Sequence, residues 1–465
     1  MSTSTARRWA LRGTATAVAV IVAAGTIAAA HTIGTTEDPG HPAGRTVTPV
    51  PAAAERVCAG SALRLSDDAG NDATRASTIG SPQIATATTG DRVDRSELGS
   101  ASTGSSAPTL LTAPAGKTAP QVAGSSYQSV SDGDVVGVGA ASCDDPSQST
   151  WLVGGSTETG RTSLVTLSNP TDVNATVDLT IADATGTVSA PGTTGIVVAP
   201  NSQKVVPLSG FVTDQGSTVV HVTSSGGQIV AHMQETVVRT LTPGGFDIVS
   251  GGAAPSRSQV IPAVVLDDAE GAQRGEDTAD AGPVLRLYVP GTEVARVTLG
   301  ITTADGGGTT VDATAEPGVV TDVPLDDFPD GRYSFTIDSS VPIVAGARTT
   351  TPTDDDRTDL GWFASAEPLS GTTVTAVAAG SGARLNLVNP TRQDATVTVR
   401  SGDDSQEVQV TSGSTATVKV PTAQQVTISG ADGLVAGVTY QGDDGIAGFP
   451  VRPETEVSSP VRIYP

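Results

Sequence analysis

A strand–proline–strand phrase occurs three times in this chain with the same internal spacing. The first copy reads Val165-x-Leu167-x-Asn169-Pro170-Thr171, then Ala175-x-Val177-x-Leu179. The second reads Leu285-x-Leu287-x-Val289-Pro290-Gly291, then Ala295-x-Val297-x-Leu299. The third reads Leu385-x-Leu387-x-Asn389-Pro390-Thr391, then Ala395-x-Val397-x-Val399. Alternation of apolar and other residues on both sides of a turn is the pattern of a β-hairpin. Proline cannot donate to a ladder, so each copy stops its first strand there. The prolines lie 120 and 100 residues apart. A solenoid repeat runs to roughly 20–50 residues, so the spacing is that of whole domains. The phrase therefore predicts a tandem array of β-modules.

Further landmarks recur behind each copy. An apolar-Val-Ala triplet follows the prolines by 59, 53 and 44 residues, at Ile229-Val230-Ala231, Ile343-Val344-Ala345 and Leu434-Val435-Ala436. Between these landmarks lie strand-like runs at 195–199, 204–208, 319–323 and 415–420, and an aromatic closes each unit at Phe246, Trp362-Phe363 and Phe449. Short strands without helical periodicity, separated by polar turns, predict immunoglobulin-like β-sandwiches. The expected fold is all-β: tandem immunoglobulin-like β-sandwich modules after an N-terminal apolar helix and a flexible tether. The boundaries expected are 1–34 for a signal anchor or signal peptide, 35–55 for a Pro/Thr/Gly tether and 56–150 for a disulfide-linked β-segment with long loops. Repeats 1, 2 and 3 then occupy 151–255, 256–368 and 369–465. The acidic stretches 267–281 and 353–359 read as solvated linkers or loops.

Arg7, Arg8 and Arg12 precede an uncharged run over residues 13–30. Positive charge ahead of one apolar stretch places the rest of the chain outside the cytoplasm. The run is near the lower length limit for a membrane span, and Ala28-Ala29-Ala30 also fits a cleavage site. Both single-pass anchoring and secretion follow from this pattern. Cys58 and Cys143, an even pair in an exported chain, predict a disulfide. The formal net charge of −23 disfavours nucleic acid as a partner.

No nucleophile elbow, zinc-protease helix, P-loop or Cys-x-x-Cys stands in the chain. Gly137-Val138-Gly139 lacks the third glycine and the helix of a dinucleotide site. His221 and His232 fall on successive strand-like runs and read as polar side chains on sheet faces rather than as metal ligands. The acidic groups at 67–72 and 353–359 match no calcium loop. Trp151 and Trp362 stand ahead of repeats and pose two alternatives: stacking on a glycan, or packing beneath the next module. No catalytic, cofactor-binding or metal-ligating residue is expected, and no enzymatic activity.

Val57-Cys58-x-Gly60, Cys143-x-x-Pro146 ahead of Trp151-x-x-Gly154, Val165-x-Leu167-x-Asn169-Pro170 and Gly195-Ile196-Val197-Val198-x-Pro200 resemble an uncharacterised actinobacterial family. Its members are exported or signal-anchored β-proteins carrying a domain of unknown function. The resemblance implies a cell-envelope location and brings no functional residues with it. The expectation is a non-enzymatic extracytoplasmic protein whose modules contact an envelope protein or a wall glycan. The alternative is an accessory glycan-binding or glycan-modifying protein of envelope biosynthesis.

Overall fold

A computed structural model describes residues 45–47, 52–65, 76–100, 107–274, 281–303, 306–353, 357–453 and 461–463. The apolar run, most of the tether and the acidic group at 67–72 lie outside the described residues. Among the described residues no helix is long and apolar enough to cross a membrane. The chain forms two compact units, Met1–Val50 with Glu456–Pro465, and Pro51–Thr455. In the first, Arg45–Val47 pairs antiparallel with Val461–Ile463. The second holds the repeats and is nearly all β.

Repeat 3 shows the frame most plainly. Its eight strands are Thr373–Val377, Arg384–Val388, Ala395–Ser401, Asp404–Val410, Thr415–Lys419, Gln424–Ser429, Val435–Gly442 and Gly445–Pro450. They form two antiparallel sheets, one in the order first–sixth–third–fourth, the other fifth–second–seventh–eighth. Repeat 1 has the same order, with Ser149–Val153 as opening strand and Thr242–Val249 as closing strand. Repeat 2 repeats it from Ser256–Leu266 to Thr358–Ala364, its sixth and seventh strands fused into Gly331–Pro352. Apolar side chains of both sheets meet in one core per repeat, Val165, Leu167, Val177 and Leu179 among them in repeat 1.

The repeated phrase is not a hairpin. Arg161–Asn169 pairs with Ser202–Pro207 and Val230–Arg239, whereas Ala175–Asp183 pairs with Thr218–Gly226 in the opposite sheet. The turn crosses from sheet to sheet, so the alternating apolar residues on both sides enter the same core. Two features cause the crossing. Pro170 lacks the N–H that a continuing ladder would use. Asn169, fully buried, donates through Nδ2 to the carbonyls of Val173, Val198 and Ala199 at 2.7–3.1 Å. Its Oδ1 accepts from the N–H and hydroxyl of Thr171. Asn389 makes the corresponding bonds to Gln393, Val410 and Thr391 in repeat 3. A buried amide with its capacity filled holds the arch at little net cost.

Residues 54–142 carry six of the eight strands of this frame once more. Ala54–Val57, Thr109–Ala113 and Asp94–Glu97 pair as first–sixth–third, and Val135–Ser142, Val122–Asp132 and Gln83–Thr88 as eighth–seventh–second. Gly99–Ser100 leaves this leading module and adds in parallel to Ser202–Pro207 of repeat 1. The Cys58–Cys143 disulfide joins the two ends of the module, just after its opening strand and just after its closing strand. Both sulfurs are buried among Leu111, Ala113 and Val122. Paired replacement by Ser is expected to cost about 4 kcal/mol, the chain-entropy value for a loop of this size. The check is the shift in urea midpoint of the double variant; no shift would make the bond dispensable.

The four modules close on themselves. The closing strands Val135–Ser142, Thr242–Val249, Thr358–Ala364 and Gly445–Pro450 each touch the next, and the last touches the first. Each sends side chains into the preceding module's core: Phe246 and Ile248 into the leading module, Leu360 and Trp362 into repeat 1, Ile446 into repeat 2. Val138 and Ala140 of the leading module complete the cycle in repeat 3. Opening strands follow the same rule outward, with Val57 meeting Val230, Trp151 meeting Tyr288 and Val344, and Val260 meeting Val435. This is a head-to-tail arrangement whose rotation closes, the condition for a ring instead of a filament. At the seam Arg452 makes a two-pronged bond to Asp144, 2.8 Å in each arm.

Candidate functional site

The hub where the four closing strands meet is the most unusual chemical feature of the unit. The Asp359 carboxylate, from repeat 2, is fully buried there. It accepts from the backbone N–H of Phe246 in repeat 1 (3.2 Å), Val138 in the leading module (3.2 Å) and Ile446 in repeat 3 (3.1 Å). One side chain thus ties all three other modules. In each partner strand the residue before the donor is a glycine with positive φ: Gly137 (131°), Gly245 (121°) and Gly445 (141°). A Cβ at Gly137 or Gly445 would run into the Asp359 carboxylate, and one at Gly245 into the backbone at Asp359 and Leu360. Asp359 occupies the fourth place of this layer, where the other strands have made room by having no side chain. Two residues on, a second layer repeats the device. Asp247, also fully buried, accepts from Trp362 N–H (2.7 Å), Ala140 N–H (3.3 Å) and Ile248 N–H (2.7 Å).

Asp359 closes the acidic stretch 353–359, which the sequence presents as a solvated loop. Its burial corrects that expectation, and the cause is register. The seventh and eighth strands pair up to Pro352 and Thr358, so position 359 already lies inside the ladder and faces the hub. Residues 354–356 lie outside the described residues. Gly137-Val138-Gly139, unremarkable as a nucleotide motif, is the leading module's share of the hub.

Burial pushes Asp247 and Asp359 well above the usual carboxylate range, and the amide donors offset only part of that rise. For these two groups the folded state binds protons more tightly than the unfolded chain. Their share of stability therefore grows as pH falls from neutral toward the ordinary aspartate value of about 3.9. Asp144 is the opposite case: burial pushes it up, Arg452 and His232 more than reverse this, and its contribution disappears on acidification. The infrared spectrum separates the two kinds. As pH rises, a protonated-carboxyl band should outlast that of ordinary aspartates, and weaken in Asp247→Asn and in Asp359→Asn. Absence of that band would show the hub carboxylates ionised.

The sequence-predicted residues are dispersed. Trp151 lies on the opening strand of repeat 1, 9% exposed, stacked on His221 at 3.9 Å between ring centres and tilted against Tyr288 of repeat 2 at 5.8 Å. Trp362 is 2% exposed, its Nε1–H donating to Glu235 at 2.6 Å and its ring facing the Arg286 guanidinium. Both rings pack across the junction of repeats 1 and 2. His221 and His232 stand in different sheets of repeat 1. His221 meets Ser149, and His232 meets the Ser142 carbonyl beside Asp144. Among the described residues no group of three or more His, Cys, Asp or Glu is placed to hold a metal ion.

The junction of repeats 1 and 2 also contains a cleft of about 670 Å³. Beneath it the fully buried Arg286 of repeat 2 donates to the carbonyls of Gly155 (2.8 Å) and Thr218 (3.2 Å) in repeat 1 and grips Asp322 with two bonds of 2.9 Å. Asp322 in turn accepts from Ser217 of repeat 1 at 2.5 Å. Burial pushes Asp322 up, and the Arg286 charge outweighs it, holding the carboxylate below its usual range. The walls are connections that outgrow the common frame. The link between fifth and sixth strands takes residues 208–217 in repeat 1 and 420–423 in repeat 3. Between first and second strands repeat 3 has 378–383, whereas repeat 2 has 267–283, whose described residues Gln273 and Gly282 line the cleft. No sequence motif marks this cleft; the only signal was the length and acidity of the 267–281 insertion.

A family model described as a family of unknown function (DUF5719) matches residues 99–429. No curated protein matches the chain. Among solved structures, the crystal structure of Thermotoga maritima 1070 is similar at 16% identity, over 24% of this chain and 93% of that one, with a TM-score of 0.21. The FN1–FN3 domains of chicken CNTN1 are similar at 10% identity, over 69% and 99% of the two chains, with a TM-score of 0.10. The BSP domain of a biofilm-associated protein shares 11% identity over 90% and 68%, also at 0.10. At these TM-scores none of the three bears on fold or activity.

Proposed function

We propose that this chain, which belongs to the DUF5719 family of unknown function, is a non-enzymatic extracytoplasmic binding protein of the cell envelope. Its modules are immunoglobulin-like sandwiches, carried outside an actinobacterial cell by the apolar leader as anchor or signal peptide. Its partner is an envelope protein or a wall glycan. The observation behind this reading is where the variable chain goes. The recurring frame closes the ring, while the longest connections of repeats 1 and 2 reach the cleft between them through Asp214, Gln273 and Gly282. Loops set on a rigid frame are the usual place for recognition. The glycan-stacking role considered for Trp151 and Trp362 gains no support from their burial.

The test is a crosslinking pull-down from native envelope with the Pro51–Thr455 unit as bait. Recovery of an envelope protein or wall polymer above an unrelated acidic control is the expected result. Recovery equal to the control would overturn the proposal.

A further inference from the structure

We propose that the cleft between repeats 1 and 2 is a binding site for a neutral carbohydrate segment; the proposal deepens the glycan arm of the reading above and rests on it. The volume of about 670 Å³ falls within the range of small-molecule sites. The chemistry of the walls selects the class. Carboxylates of Glu158 and Asp214 from repeat 1 and of Asp326 from repeat 2 reach the cleft as acceptors. Arg161 (9% exposed) and Arg348 (7% exposed) line the same space as donors. Their positions are fixed by bonds to the carbonyls of Thr159 (2.8 Å) and Gly282 (3.2 Å).

Acceptors and fixed cations side by side suit a ligand whose groups both donate and accept. A sugar hydroxyl does both. An anion would meet the carboxylates, and a cation the two buried guanidiniums, so a charged ligand faces a like charge on either choice. Val284 and Pro324, paired across two strands, add a small apolar spot on which the C–H face of a pyranose can rest. Asp326 also accepts from Gln273 Nε2 at 2.9 Å, which fixes its orientation toward the cleft. The site spans two modules, so neither repeat assembles it alone.

The test is an array of neutral di- to hexasaccharides of glucose, galactose, mannose, arabinose and N-acetylglucosamine, followed by titration calorimetry with the best binder. A lysine-rich peptide serves as the competing class. Asp326→Ala removes an exposed side chain, and Asp214→Gly removes one from a backbone at φ 60° that glycine adopts without strain, so both variants should keep an unfolding midpoint close to wild type. Each is expected to weaken saccharide binding by about tenfold, the loss of one hydrogen-bonding group. No saccharide bound at millimolar concentration, binding that both variants leave unchanged, or binding of the peptide alone would each overturn the site. Any of these three outcomes together with a pull-down that still recovers an envelope partner would overturn the site while leaving the envelope-binding reading in place.

Discussion

Asp359→Ala is expected to weaken the folded unit by about 3 to 9 kcal/mol. The substitution strands three buried N–H groups, on Val138, Phe246 and Ile446, at about 1 to 3 kcal/mol each. The vacated space is enclosed by the backbones at Gly137, Gly245 and Gly445, and a water occupying it would recover part of the loss, which sets the lower end of the range. Asp359→Asn, which keeps one acceptor oxygen, should fall between wild type and Ala. Gly445→Ala probes the same contact from the other side, since its new methyl would collide with the carboxylate at a backbone φ of 141°. Urea unfolding gives the number: a midpoint shift at constant slope reports stability alone. A shift worth less than about 1 kcal/mol, within one ordinary hydrogen bond, would mean the hub amides do not depend on Asp359.

The second large effect concerns a single module. The fragment 149–253, repeat 1 alone, is expected not to fold. Its core would lack Leu360 and Trp362, which the next repeat supplies. By the cost of truncating buried Leu and Trp side chains, about 2–5 and 3–5 kcal/mol, the deficit is about 5–10 kcal/mol. A domain's entire stability is about 5–15 kcal/mol. Arg286 would be missing as well, and with it the bonds it donates to the carbonyls of Gly155 and Thr218. Amide proton dispersion in the NMR spectrum of the fragment decides the matter: collapsed dispersion is expected, and a well-dispersed spectrum would show an independent module.

The balance between what was legible and what was not follows from the range of the interactions. Period-two alternation is local, so the strands of the three phrases could be read from the residues themselves. Which sheet each strand joins is not local. The arch at Asn169-Pro170 and a hairpin share one sequence pattern, and only the carbonyls of Val198 and Ala199, about 30 residues on, distinguish them. The leading module is legible as a disulfide-linked β-segment but not as a fourth copy, because its second strand, Gln83–Thr88, has Thr and Ala where the repeats have Leu and Val. The small Ala85 and Ala87 of that strand pack into the core of repeat 3. The hub was hidden for a different reason. A Gly followed by an apolar residue recurs at Gly137-Val138, Gly245-Phe246 and Gly445-Ile446, and the fourth member, Asp359-Leu360, breaks the pattern with the very residue that gives it meaning. Trp151 and Trp362 are large side chains in an aromatic-poor chain, and the junction they pack against is set by tertiary closure, which no local pattern encodes.

The central claim is that four modules form one closed cooperative body, and native-state hydrogen exchange of the intact Pro51–Thr455 unit tests it most directly. The amides of Val138, Phe246, Trp362 and Ile446 sit on four different closing strands and bond to two carboxylates. If the ring opens only as a whole, all four exchange with the same opening free energy, equal to that of global unfolding. Separate opening free energies, module by module, would contradict the closed ring.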